Sequence, residues 1–115
     1  MTEISDRRRR HTLLDLIALR VPLSEAIAAV RRLPWDSDAD LVRLTRTHVT
    51  VLLMRYLAQE LTAGDLEAWA NAIEAREDIG AEELLRTFVF ETANPALCED
   101  VSNGFARRWI GRIDG

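Results

Sequence analysis

The chain has 115 residues, 48% of them hydrophobic and 30% charged, with a formal net charge of −4 and a pI near 5.2. That length suits one domain with a single core, and the composition is that of a globular protein rather than a disordered tail. A lone cysteine, Cys98, excludes an internal disulfide, and no stretch approaches the roughly 20 apolar residues of a membrane span. Arg7–Arg10 precede a short apolar run broken by Asp15, and no small-residue cleavage site follows. No signal peptide is therefore expected, and the cytoplasm is the expected compartment. All fifteen basic residues are arginine, which reads as a bias toward GC-rich codons.

Proline and glycine separate apolar-periodic segments, a pattern that predicts five or six helices. The first runs from Asp6 to Leu19, capped by Ser5 or Asp6, with Leu13, Leu16, Ile17 and Arg20 on one face. Pro22 opens a second, with Ile27 and Val30 apolar, which stops at Leu33-Pro34 because the residue before proline is pushed out of the helical region. Trp35-Asp36-Ser37-Asp38 reads as a turn, and a third helix should start near Asp38 or Asp40 and extend to Glu60. Its two stripes, Leu41/Leu44/His48/Val51/Leu52/Arg55 and Val42/Val49/Leu53/Tyr56/Leu57, would make it the most buried helix. Two threonines and two valines within Thr47–Met54 keep a strand there as the competing reading.

The fourth helix is capped by Thr62, with Asp65 completing a capping box. Leu66, Trp69, Ala70 and Ile73 fall at i, i+3, i+4 and i+7 and define its core face, and Gly80 ends it. Ala81–Thr92 supplies a fifth helix facing Leu84, Leu85, Phe88 and Val89 inward, closed by Asn94-Pro95. A last one, near Glu99–Ile113, buries Val101, Phe105, Trp109 and Ile113 and exposes Arg107, Arg108 and Arg112.

Charge is distributed unevenly. Residues 61–100 hold ten of the nineteen acidic side chains and two arginines, Arg76 and Arg86, for a local net charge of −8, whereas residues 1–35 carry +3. Such asymmetry decides which partners a surface attracts. Glu67, Asn71, Glu74 and Asp78 form a polar stripe on the fourth helix, about 100° from its apolar stripe. They are the candidate contact residues for a basic protein partner; the bland alternative is a solvated helix face. Glu77, four residues after Ile73, continues the apolar stripe at a helix C-terminus, where negative charge is disfavoured: either the helix ends before it, or it is paired with an arginine such as Arg76 or Arg86, a catalytic carboxylate being the sharper alternative.

Glu74-x-x-Glu77 also resembles half of the E-x-x-E…E-x-x-D motif of small all-helical nucleotide pyrophosphohydrolases, which would imply Mg²⁺ between the two carboxylates. The nearest downstream match is Glu91-x-x-Asn94, whose amide lacks the required charge. His48 reads as a satisfied core histidine, Cys98 as a buried structural thiol, and neither points to a metal centre or cofactor. Arg7–Arg10 is the one basic cluster. Without interleaved aromatics it argues against nucleic acid and reads as a mobile, solvated terminus, able to dock on an acidic patch of its own chain or of a second copy.

The run from Leu61 to Ile79, with Leu61-Thr62, Leu66-x-x-Trp69-Ala70-Asn71 and Arg76-Glu77-Asp78, resembles a pattern in small, largely uncharacterised bacterial helical proteins. Phe90-x-x-Ala93-Asn94-Pro95 is similar to a second block of the same proteins. In size, charge and helical content the chain is also similar to bacteriocin immunity proteins, which neutralise basic nuclease toxins by covering the active site. The sequence thus implies an all-α, single-domain bundle. Its expected role is a non-enzymatic binding protein for a basic partner, with no membrane contact and no cofactor. A Mg²⁺-dependent phosphohydrolase and a homo-oligomeric structural protein, burying Trp35 or Trp109 between subunits, are the alternatives.

Overall fold

The computed structural model describes residues 6–34 and 40–114. Among them are six helices: α1 (Asp6–Ile17), α2 (Leu23–Arg31), α3 (Arg46–Leu57), α4 (Ala63–Glu74), α5 (Glu83–Ala93) and α6 (Asn103–Asp114). Two short strands, β1 (Val42–Arg43) and β2 (Ile79–Gly80), pair in parallel. The fold is all-helical, as the periodicity indicates, with a clasp the periodicity conceals. No helix among the described residues is long and apolar enough to cross a membrane.

Arg7–Arg10 lie within α1, not in a mobile terminus. Ser5, the other candidate cap, lies outside the described residues. Leu13, Leu16 and Ile17 face the core as the spacing predicts. The helix stops at Ile17 because Leu19 turns left-handed (φ 53°), letting Arg20 N donate to Asp15 O at 3.1 Å and Leu19 N to Leu16 O at 3.3 Å. α3 ends in the same way: Gln59 has φ 66°, and Glu60 N donates to Arg55 O at 2.9 Å. Helices ending this way usually place glycine at the left-handed position. Here leucine and glutamine do the job, so the sequence reading overran both ends. α2 follows Pro22 and ends ahead of Pro34; the expected turn at Trp35-Asp36-Ser37-Asp38 falls outside the described residues.

The third helix starts at Arg46 rather than near Asp38 or Asp40. Leu41 and Leu44 are three apart and fit a helical stripe, but the segment is extended, with Val42 and Leu44 buried and Arg43 exposed. That alternation is the strand period of two. Val42 lies opposite Ile79 and Arg43 opposite Gly80; Leu41 N donates to Asp78 O at 2.8 Å and Leu44 N to Gly80 O at 2.8 Å. Thr45 then caps α3, its hydroxyl accepting from His48 N while its own N–H donates to His48 Nδ1 at 3.0 Å. Thr47–Met54 is helical, so the strand reading of that segment is overturned. Val51 departs from its expected stripe and is 45% exposed.

α4 is the best-foreseen element. Thr62 Oγ1 accepts from Asp65 N at 3.0 Å, and Asp65 Oδ2 accepts from Thr62 N at 2.8 Å. Leu66, Trp69, Ala70 and Ile73 are all buried. α4, not α3, is the central helix, packing on α5, α2 and α3. Removing the cap with Thr62→Ala is expected to cost about 1 kcal/mol, since one early N–H loses its acceptor. Urea denaturation followed by circular dichroism checks this; an unchanged midpoint would show that the box contributes nothing.

The helix stops at Glu74, well short of Gly80, and Ala75 (φ −90°, ψ 4°) turns the chain toward β2. α5 buries Leu85, Phe88 and Val89 and leaves Leu84 half-buried. α6 begins at Asn103, four residues beyond the expected Glu99, with Ser102 Oγ accepting from Phe105 N at 3.1 Å. Phe88 centres the aromatic core: ring centroids lie 5.3 Å from Trp109 (edge-on), 6.2 Å from Phe105 and 6.4 Å from Trp69. Trp109 therefore packs inside its own chain, not between subunits, while Trp35 lies outside the described residues. Arg112 stacks its guanidinium over the Trp109 ring at 4.0 Å.

Candidate functional site

The outer face of α4 follows from its inner one. With Leu66, Trp69, Ala70 and Ile73 turned inward, helical geometry sends Glu67, Asn71 and Glu74 roughly 100° around the helix, and all three are exposed. Gly64 and Ala68 are exposed between them, so the face is low and flat apart from its polar side chains. α4 contains no basic residue. Three of the four predicted contact residues are thus brought together.

The fourth, Asp78, is a correction. It lies beyond the end of α4 and is fully buried. Arg76 grips it with two parallel bonds, Nε to Oδ1 at 2.9 Å and Nη2 to Oδ2 at 2.8 Å, and Arg9 Nε adds a third to Oδ2 at 2.9 Å. Both guanidiniums also donate to Pro34 O, and Arg76 Nη1 donates to Val30 O at 3.3 Å. One carboxylate therefore ties α1, the end of α2 and the approach to β2. Burial pushes the Asp78 carboxyl up, but hydrogen bonds from Arg76 and Arg9 and their charges outweigh it, holding the group below the ordinary aspartate value.

Glu77 is exposed and not paired in the core; of the two readings its position allows, the helix ends before it. It would have continued the apolar stripe only if the helix had run on past Glu74. Ending α4 there hands the buried, arginine-paired role to the next residue. The same ending removes the i, i+3 helical relation between Glu74 and Glu77 on which the Mg²⁺ motif depends. Among the described residues no group of three or more His, Cys, Asp or Glu side chains is placed to hold a metal ion.

Glu74 has a different neighbour. Its Oε2 accepts from Asn94 Nδ2 at 2.9 Å, and the same amide donates to Phe90 O at 2.8 Å. This joins the acidic face to α5, where Phe90 is 48% exposed. In the sequence Phe90 stands out only through the Phe90-x-x-Ala93-Asn94-Pro95 block, although its position one residue past the inward pair Phe88-Val89 puts it off the α5 core face. A cleft of about 80 Å³ is lined by apolar Leu44, Ile73, Ile79 and Val89 together with Glu74, Arg76 and Arg86.

Two other groups differ from expectation. Cys98 is exposed, not buried. His48 serves as the capping partner of Thr45, and burial pushes its imidazole below the ordinary histidine value, so it is neutral near pH 7. On the opposite flank Arg46 donates to Glu82 and to Ile113 O at 2.9 Å, bracing α3 against α5 and α6; the hydrogen bond from Arg46 draws the Glu82 carboxyl down. No protein-family model, curated protein or solved structure matches the chain.

Proposed function

We propose that this protein is a non-enzymatic binding module that presents Glu67, Asn71 and Glu74 to a basic protein partner, with toxin neutralisation as its concrete form. One observation carries the reading: the exposed face of α4 bears carboxylates and small residues with no arginine among them. A face evolved only for solubility ordinarily mixes both signs. Phe90 and Asn94 extend it with an aromatic side chain and an amide, the mixture of apolar anchor and polar surround found where proteins meet. The resemblance to immunity proteins in size, charge and helical content points the same way. Asp78 has no place in this surface.

An affinity pull-down from native-host lysate tests it, with wild type beside a folded Glu67→Arg/Glu74→Arg variant and bound proteins identified by mass spectrometry. The expected result is a basic protein held by wild type and weakened roughly 100-fold by the reversal, equivalent to ~3 kcal/mol. The complex should dissociate between about 0.1 and 1 M salt, as the Debye length falls from about 10 to about 3 Å. Recovery of the same proteins by both baits would overturn the reading.

A further inference from the structure

The cleft at the end of α4 has a floor and a rim of opposite character. Leu44, Ile73, Ile79 and Val89 form the floor, each no more than 5% exposed, whereas Glu74 and Arg86 on the rim are exposed. Separate elements hold it in shape. Ile73 and Glu74 end α4, Ile79 belongs to β2, and Arg86 and Val89 lie on α5. Leu44 follows β1, and its N–H donates to Gly80 O at 2.8 Å, which fixes it across the clasp. An apolar cavity of about 150 Å³ accepts a six-carbon ring. On that scale this cleft, about 80 Å³, takes roughly three or four carbons.

The two rim charges are braced separately. Glu74 Oε2 accepts from Asn94 Nδ2 at 2.9 Å, and Arg86 Nε donates to Ala81 O at 3.0 Å. These braces leave Glu74 Oε1 and both Arg86 Nη groups without a bond among the described residues, and the two side chains do not pair with each other. Arg76, which also lines the cleft, is committed to Asp78, Val30 O and Pro34 O. One turn before Arg86, Glu82 pairs with Arg46, and Glu83 makes no ion pair with Arg86. Opposite charges that share a cleft without meeting are completed by a ligand that carries both signs.

We infer that this cleft binds a free α-amino acid whose branched apolar side chain has about three or four carbons. The side chain lies on Leu44, Ile73, Ile79 and Val89, the carboxylate accepts from the Arg86 Nη groups, and the ammonium donates to Glu74 Oε1. A simple carboxylate would set Glu74 beside a like charge, and a simple amine would leave Arg86 without an acceptor, so neither uses the whole site. The inference does not rest on the reading of α4 as a partner face. Glu74 belongs to both, so a bound amino acid and a basic partner compete for that carboxylate.

Protein-observed NMR on the full chain tests this, with L-leucine titrated to about 20 mM, enough to saturate a site whose dissociation constant is about 1 mM. The expected result is saturable shifts of the Ile73, Ile79, Ala81 and Val89 amides. Three comparators each remove one contact: glycine the side chain, 4-methylpentanoate the ammonium, and L-leucinamide the carboxylate. Each should bind about tenfold or more weakly than leucine, and Arg86→Gln and Glu74→Gln should weaken leucine itself as much. Both positions are exposed, and the thermal midpoint of each variant checks its folding. The comparators are read on wild type and need no variant. No saturable shift with leucine, or any comparator that matches it, overturns the inference. A folded Arg86→Gln or Glu74→Gln that binds leucine like wild type overturns it too.

Discussion

Asp78→Asn should destabilise the protein by about 3–5 kcal/mol, the range for removing one member of a buried ion pair. The amide is close in shape but removes the negative charge gripped by the Arg9 and Arg76 guanidiniums, which are 14% and 6% exposed. A domain this size has only about 5–15 kcal/mol in total, so the loss is a large fraction of its stability. The acid limb changes as well. The folded Asp78 carboxyl sits below its ordinary value of 3.8, so its stabilisation is complete above that value and disappears as pH falls from about 4 through the folded pKa. The Asn variant lacks that part of the acid slope. Urea titrations at pH 7 and across pH 2–5 (roughly the window just derived) check both effects, and parallel acid limbs for the two proteins would sink the argument. Replacing all three members by apolar residues should recover much of the loss, because no unpaired charge then stays buried.

The second large effect is at Trp69. Trp69→Ala removes a fully buried side chain from the contact between α4 and Phe88, and is expected to cost about 3–5 kcal/mol. Part of that cost is specific, because the indole N–H of Trp69 donates to Leu16 O and its loss leaves a buried carbonyl without that donor. Trp109 makes the comparison. It is equally buried, yet its Nε1 meets no acceptor among the described residues. Trp69→Phe should therefore cost about 1 kcal/mol more than Trp109→Phe, the net value of one hydrogen bond. Equal midpoints for the two phenylalanine variants would show that the Leu16 contact contributes nothing.

How much of this was legible depended on whether the signal was local. The capping box at Thr62 and the stripe Leu66/Trp69/Ala70/Ile73 lie within twelve residues and were read correctly, as were the inward Phe105, Trp109 and Ile113 of α6. Errors gathered where a long-range partner decides the conformation. Val42–Arg43 is extended because Ile79–Gly80 lies beside it, and no window around either segment shows the other. A helix end at Gly80 overshoots for the same reason, although Glu77 on the apolar stripe signals an earlier stop. Arg76 and Asp78 are drawn to Arg9, Val30 and Pro34, contacts made by the fold as a whole. That misplacement exchanged the roles of Glu77 and Asp78 in the expected site, while Glu67, Asn71 and Glu74, lying inside the helix, kept theirs.

The Arg9–Asp78 bond spans 69 residues, and that separation sets an order of events during synthesis. Chains elongate at about 5–20 residues per second, so Arg9 is made roughly 3–14 s before the carboxylate that neutralises it. Until then α1 and α2 can meet through Leu13, Leu16 and Val30, but the bond that ties α1 to the segment after α4 cannot form. The contacts of the N-terminal hairpin are therefore completed only by the segment after α4, and β1 is paired only once β2 has been made. In the nascent chain, the residues that finish the first third of the protein are supplied by its last.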